Sequence, residues 1–437
     1  MKGKDEILAD NVISIQKNDF LSEQVTVINH KSGLTVYYVK KDFASSYAIF
    51  GTKYGSFDNE FAVDGEKITV PHGIAHFLEH KLFETEDGTD TFELFSELGA
   101  DANAYTSTDR TAYLFSCTEN FYECLDVLVK MVLTPVFTEK NVNKEMGIIG
   151  QEIKMCEDRT RTILYYNLMK ALYEHNPVRI PIAGTLESIS EITPELLYKC
   201  YNAFYRMNNM ALCVCTSEEL DGVIDILDKY LPEKSEEAVI HANPYDGDTV
   251  YEDIVSANAE IARPLFEIGL KIPIANVSDF CALDIICEAV LGESEDFYNE
   301  CFEKELFSSY HQYCDCSRVG YSIQLGGDAD EPEAVFSRFK ELVAEIGENG
   351  ISRDAFERAK RSAYADAMKA FNGSENIAEE LFEAFVNGES YLDIVDKYKE
   401  VTYEKANALA KEIFCVDRVA MSVIYPSGAT TEAEDDE

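Results

Sequence analysis

The sequence predicts an α+β protein of two similar halves, each built from an antiparallel-rich mixed sheet packed with helices, and three observations carry that expectation. Strand-like and helix-like segments mix without strict alternation, a helix-strand pattern recurs at an offset of 209 residues, and a charged, turn-rich stretch lies between the copies.

In the first half, residues 34–39 and 46–50 read as strands, and Gly51 and Gly55 follow the second. Residues 102–106 and 111–117 read as a hairpin around Thr108-Asp109-Arg110. Residues 72–83, 89–98, 120–133 and 139–155 read as helices from their apolar spacing, with Gly99 as the stop of the second. Hairpins of this kind exclude a purely parallel α/β sheet.

The repeat emerges when Ile192-Thr193 is laid on Val401-Thr402. Phe204 then falls on Ile413, Met210-Ala211-Leu212 on Val419-Ala420-Met421, and Val214 on Val423. Each copy is a helix with apolar spacing of three and four, then a short apolar strand, as a duplicated unit requires. A chain of 437 residues is also too long for one ordinary core. The expected division is an α+β domain over 1–231, a linker over 232–250, and a homologous second α+β domain over 251–437.

Composition excludes several functions. The net charge of −43, from 81 acidic and 38 basic residues, repels nucleic-acid phosphates and anionic membranes, so neither is expected as a partner. Solubility explains the charge first, and attraction of basic peptides second. Only Glu432 to Glu437 forms an acidic tail. The 12 cysteines contain no Cys-x-x-Cys pair; Cys213/Cys215 and Cys314/Cys316 come nearest, and Cys200, Cys281 and Cys287 sit among apolar neighbours. A reduced, cytoplasmic setting is expected. Met1-Lys2-Gly3-Lys4-Asp5-Glu6 has no export-type apolar region, and no apolar run is long enough to span a membrane.

The sharpest chemical signal is His76-Phe77-Leu78-Glu79-His80. On a helix, residues four apart share a face, so both imidazoles can reach one metal ion with Glu79 standing beside it. The alternative is a surface helix carrying two ordinary histidines. Zinc that keeps one position open for water needs a third protein ligand. Glu145 and Glu152, seven apart on the helix read over 139–155, share a face with Ile148 and Ile149 nearby. Spacing alone leaves them as either a solvated stripe or inward carboxylates that hold charge or metal. Asn103 is likewise open between a turn or capping residue and a binding one.

The inverted order His-x-x-Glu-His, set in residues 71–83 and followed about 70 residues later by an acidic helix, resembles the inverzincin zinc peptidases: insulinase, pitrilysin and mitochondrial processing peptidase. Gly99 to Ser107, Thr111-Ala112-Tyr113 and Ala183-Gly184-Thr185 extend the resemblance over nearly the whole chain, closest to the bacterial processing-peptidase-like branch. The resemblance implies one Zn2+ per chain, held by His76, His80 and Glu152. It makes Glu79 the general base, and places Glu145 with it in a supporting catalytic role. It implies an edge strand, Asn103, Ala104, Tyr105 and Thr106, that pairs with extended peptide, and two halves closing a clam-shell chamber. Relatives that work as single chains or homodimers carry an Arg seven residues before a Tyr in the second half, where both hold substrate and the developing oxyanion. Here Glu303 stands seven before Tyr310, and no Arg stands seven before Tyr313 or Tyr321. The expected function is therefore a metalloendopeptidase for peptides or small unfolded polypeptides, working with a non-identical homologous partner chain or as a homodimer. The rivals are a non-catalytic scaffold subunit and a metal hydrolase acting on something other than peptides.

Overall fold

The structure is a computed structural model that describes residues 11–63, 65–85, 88–231, 240–241, 246–273, 280–317 and 320–427. The expected linker falls largely outside the described residues, as do Met1 to Glu6 and the acidic tail. Two compact units are present, and neither is continuous in sequence. The first comprises Met1–Ile153, Ile180–Ala242 and Asp366–Asp396; the second comprises Lys154–Arg179, Asn243–Ala365 and Lys397–Glu437.

The strands of the first unit are β1 (Val12–Asn18), β2 (Glu23–Asn29), β3 (Thr35–Lys40), β4 (Ser46–Thr52), β5 (Glu60–Val63), β6 (Glu66–Thr69), β7 (Asp101–Thr106), β8 (Thr111–Cys117), β9 (Met210–Thr216) and β10 (Ile240–His241). Seven of them form one sheet in the order β1-β2-β3-β9-β4-β8-β7, and β10-β5-β6 form a small second one. Only β3 and β9 run parallel in the large sheet. Every residue of β9 is buried, which explains its uniformly apolar sequence. β7 lies at the sheet's edge, so its outer backbone groups have no strand partner among the described residues.

The second unit has β11 (Ile254–Ala259), β12 (Leu265–Ile272), β13 (Ser309–Ser317), β14 (Gly320–Asp328) and β15 (Val419–Pro426). Their order, β11-β15-β12-β14-β13, repeats β3-β9-β4-β8-β7 strand for strand, including the single parallel pair β11/β15. The helices that lead into the last strands, Pro194–Phe204 and Tyr403–Ile413, are both 11 residues long. Each begins on a threonine, Thr193 or Thr402, whose side chain accepts a hydrogen bond from the third residue on. The 209-residue repeat read from the sequence thus corresponds to the same element in both units.

Each sheet takes a helix from the other half of the chain. The helix Ser374–Asn387 packs on β4 and β9, and the helix Thr160–Leu172 packs on β11, β12 and β15. A glycine receives each one. Gly51 lies inside β4 opposite Ala211, not after the strand as the sequence suggests, and Gly269 lies opposite Ala420, the repeat mate of Ala211. A Cβ at Gly51 would sit 2.2 Å from Cζ of Phe382, and one at Gly269 would sit 2.9 Å from Cδ1 of Leu172. Phe382 is fully buried and cannot swing aside. Gly51→Ala should therefore destabilise the protein by about 1–3 kcal/mol through overpacking. Phe382→Leu should recover part of that loss in the double variant, a non-additivity that denaturant unfolding of the four proteins would measure.

Candidate metal centre

The motif helix spans Ile74–Lys81, and its start depends on two glycines. Gly73, the N-cap, has φ 88°, and a Cβ there would sit 2.4 Å from the carbonyl oxygen of Ala183. A Cβ at Gly184, where φ is 75°, would sit 2.6 Å from the carbonyl oxygen of His72, and Ser188 Oγ donates to that same oxygen at 2.8 Å. The Ala183-Gly184-Thr185 segment is thus the seat on which the helix begins, and only residues without Cβ allow the approach.

Over its eight residues this helix buries His76, Glu79 and Lys81 and half-buries His80. Burial, and then the neighbouring His80, push His76 down to about 3, so its imidazole is neutral with a free lone pair at ordinary pH. Burial raises the Glu79 carboxyl above its usual range, against the pull of a 2.6 Å hydrogen bond that Thr106 Oγ1 of β7 donates to its Oε2. Burial also opposes a charged His80, but Glu145, Glu79 and Glu152 together raise it above the usual histidine value.

The helix Glu139–Glu157 supplies the opposing carboxylates. Glu152 Oε1 stands 3.6 Å from His76 Nε2, and Glu152 Oε2 stands 3.5 Å from His80 Nε2. These gaps are too long for hydrogen bonds. Each, measured to its own carboxylate oxygen, is close to the roughly 3.3–3.4 Å edge of a tetrahedron with metal-ligand bonds of ~2.0–2.1 Å. One ligand atom from each of His76, His80 and Glu152 lies within 4.8 Å of the others, and among the described residues this is the one such grouping. Two imidazoles and a carboxylate form a donor set that zinc accepts with one position left for water.

Glu145 takes a different place from Glu152. Its Oε1 stands 3.2 Å from His80 Nδ1, behind the ring, so that an Nδ1–H donating there leaves the Nε2 lone pair toward Glu152. Although burial works against ionisation, the His80 bond and Lys81 hold the Glu145 carboxyl below its usual range. Lys81, fully buried, lies 3.5 Å from Glu145 Oε2 and also pairs with Glu84. Sequence reasoning missed Lys81, which carries no periodic signal distinguishing it from a surface lysine. His76 Nδ1 is buried without a hydrogen-bond partner among the described residues.

The expected peptide-pairing residues lie along β7. Ala102 and Ala104 pack against the core of the unit, Thr106 reaches Glu79, and Asn103 is exposed with its Oδ1 accepting from the Ala104 amide at 2.9 Å. In the second unit, Tyr310 donates its hydroxyl to the Leu291 carbonyl at 2.7 Å and packs between Phe307 and Tyr298. Glu303 ends the helix Asp296–Glu303 and is exposed.

Residues 69–186 match the model of insulinase (peptidase family M16), and residues 191–363 match the M16 inactive domain. An uncharacterized zinc protease of Bacillus subtilis, YmfH, is 35% identical over 418 residues, which is 92% of this chain and 97% of the relative. The chain belongs to the M16 peptidase family. A solved M16-like peptidase from Alicyclobacillus acidocaldarius, 29% identical, superposes with a TM-score of 0.88 over 95% of this chain and 99% of its own. Subunit beta of the Caenorhabditis elegans mitochondrial-processing peptidase is 29% identical over 166 residues, 37% of this chain and 36% of that one. Among the described residues of this M16 chain, no helix is long and apolar enough to cross a membrane.

If Glu152 is the third ligand, Glu152→Ala should lose nearly all bound zinc in metal analysis, and full retention would point to Glu145 or Glu157 instead. If Glu145 only orients His80, Glu145→Gln should keep a zinc site but weaken it roughly 10–100-fold in chelator competition.

Proposed function

We propose that this chain is a zinc-dependent endopeptidase that hydrolyses peptides or small unfolded polypeptides bound in extended form, with His76, His80 and Glu152 holding the metal and Glu79 acting as general base. The observation that carries the reading is the Thr106–Glu79 hydrogen bond, because it ties the base directly to the free-edged strand β7.

Zinc bound there would lower the pKa of a water toward ~7 and polarise the scissile carbonyl. The remaining steps belong to the chain. An extended peptide pairs with β7 along Asn103 to Thr106 through its backbone, which gives affinity without demanding one sequence. Thr106 fixes Oε2 of Glu79, so Oε1 is left to accept the proton of the attacking water. Burial makes that carboxylate a stronger base than an exposed one, and it delivers the same proton to the leaving amine. Glu145 holds the His80 ring in the orientation that its ligand role requires.

The second unit supports a role for another chain. Relatives use an Arg and a Tyr to hold substrate and oxyanion, but here Glu303 occupies the Arg position and the Tyr310 hydroxyl is committed to the Leu291 carbonyl. A homologous partner chain bringing both groups would complete the site, in line with a relative named as one subunit of a peptidase. The same gap favours a second reading, a scaffold subunit that binds zinc without turning over.

Glu79→Gln separates the two readings. In the endopeptidase it should retain zinc yet lose turnover by a factor on the order of 10²–10⁴, measured with an internally quenched peptide. Normal cleavage by that variant would show the base to be misassigned, and no cleavage by the wild type with any homologous partner would favour the scaffold. Purified alone, the chain should cleave slower than with its partner by on the order of 10²–10³, the usual cost of a missing oxyanion donor, whereas a full rate alone would remove the need for one.

A further inference from the structure

We propose that the helix Ser374–Asn387 is a clamp on the docking strand β7, so that side chains more than 270 positions downstream determine how firmly an extended peptide is held. The inference rests on the reading of β7 as the peptide-pairing edge.

Side chains alternate along a strand. Ala102, Ala104 and Thr106 turn toward the core and the motif helix, so Asn103 and Tyr105 turn to the opposite face, where the helix Ser374–Asn387 packs. Tyr105 donates its hydroxyl to Glu379 Oε2 at 2.9 Å, while Glu379 Oε1 lies 3.4 Å from the hydroxyl of Tyr47 on β4. One carboxylate therefore ties the edge strand to the strand two places inside it. One turn along the helix, Glu383 holds Arg110, which closes the β7–β8 hairpin. Arg110 Nη2 donates to Glu383 Oε1 at 3.1 Å, Nη1 makes a second contact with Oε2, and Arg110 Nε donates to Asp109 Oδ1 at 2.8 Å. Asn387 Nδ2 steadies Glu383 from the helix itself at 2.8 Å. Phe382, set in the notch at Gly51, anchors the helix between these contacts.

An edge strand has partners on one side only and is the first part of a sheet to fray. Pairing with a peptide requires its free backbone groups to stand in line, and ordering them at the moment of binding costs affinity. The clamp orders them beforehand. Burial, and then the charge on Glu379, push the Tyr105 phenol well above its usual range, so the hydroxyl remains a donor.

The second unit repeats the device independently. There the helix Thr160–Leu172 backs the sheet, and its Tyr165 donates to Asp315 Oδ2, on the edge strand β13, at 3.2 Å. The bond is again tyrosine to carboxylate between the backing helix and the edge strand, with the partners exchanged. β7 and β13 hold the same place in the two strand orders, so the arrangement follows the edge rather than the sequence.

The test is hydrogen exchange of the full-length protein, which needs no peptidase activity, together with steady-state kinetics. Tyr105→Phe and Glu383→Gln should each speed exchange at amides 103–106 by roughly tenfold, the worth of a hydrogen bond to a charged group, while β4, β9 and zinc content stay as in the wild type. KM for an extended peptide should rise severalfold while kcat changes by less than about twofold, because the lost preorganisation acts on binding. The swap Arg110→Glu with Glu383→Arg should restore both toward the wild type. Tyr165→Phe should loosen β13 and leave β7 protected. Unchanged exchange at 103–106, or exchange raised equally across β4 and β9, would overturn the clamp. If the wild type cleaved no peptide under any condition, the peptidase reading would fail and the exchange arm would still decide this one.

Discussion

The organisation of the first unit depends on one constraint: charged groups buried on a short helix must each find a partner. Glu79, His80 and Lys81 are consecutive, with His76 one turn before them, and all but His80 are buried. A buried charge without a partner costs several kcal/mol. Each neighbouring element supplies one. β7 brings Thr106 to Glu79, the helix Glu139–Glu157 brings Glu145 to His80 and Lys81, and Glu84 reaches back to Lys81. Glu152 then faces both imidazoles at distances that no hydrogen bond explains. The positions of the surrounding strand and helix follow from this set, as do the glycines that let the 183–185 segment seat the helix.

Duplication solved the packing problem twice in one way. In each unit a late strand, β9 or β15, inserts between two early ones, β3 and β4 or β11 and β12, and a helix from the opposite half of the chain packs on the sheet. The unit that holds His76 and His80 is consequently not the first half of the sequence, since it takes Asp366–Asp396 from the second. A chain cut at the apparent boundary would leave β4 and β9 uncovered on the face that Phe382 and its helix neighbours now fill. Symmetry of architecture also sharpens the contrast in chemistry: the edge strand of one unit lies against Glu79, while in the other Tyr310 is tied to the Leu291 carbonyl.

Much of this was legible in the sequence wherever the signal was local. The i, i+4 spacing of His76 and His80 needs only helical geometry, and the repeat survives because helix, threonine cap and apolar strand recur at a fixed offset. The choice between Glu145 and Glu152 was not local. Both sit on one face two turns apart, and only the angle at which their helix passes the motif helix gives one to the two imidazole Nε2 atoms and the other to the back of His80. Gly51 was readable as the residue after a strand but not as the notch for a phenylalanine 331 positions away, because periodicity shows that a helix is amphipathic without showing which sheet it will cover. Lys81 escaped for a similar reason: Glu84 is near it in sequence, but the second carboxylate beside it, Glu145, is 64 positions away.

The central claim is that two imidazoles and one carboxylate converge on a single ion with a fourth corner free. X-ray absorption at the zinc edge of the purified protein tests it most directly. The account predicts one zinc per chain in a shell of nitrogen and oxygen at ~2.0–2.1 Å with two imidazole signatures and no sulfur. A sulfur scatterer at about 2.3 Å, a shell with one imidazole or none, or a protein that retains no zinc would contradict it.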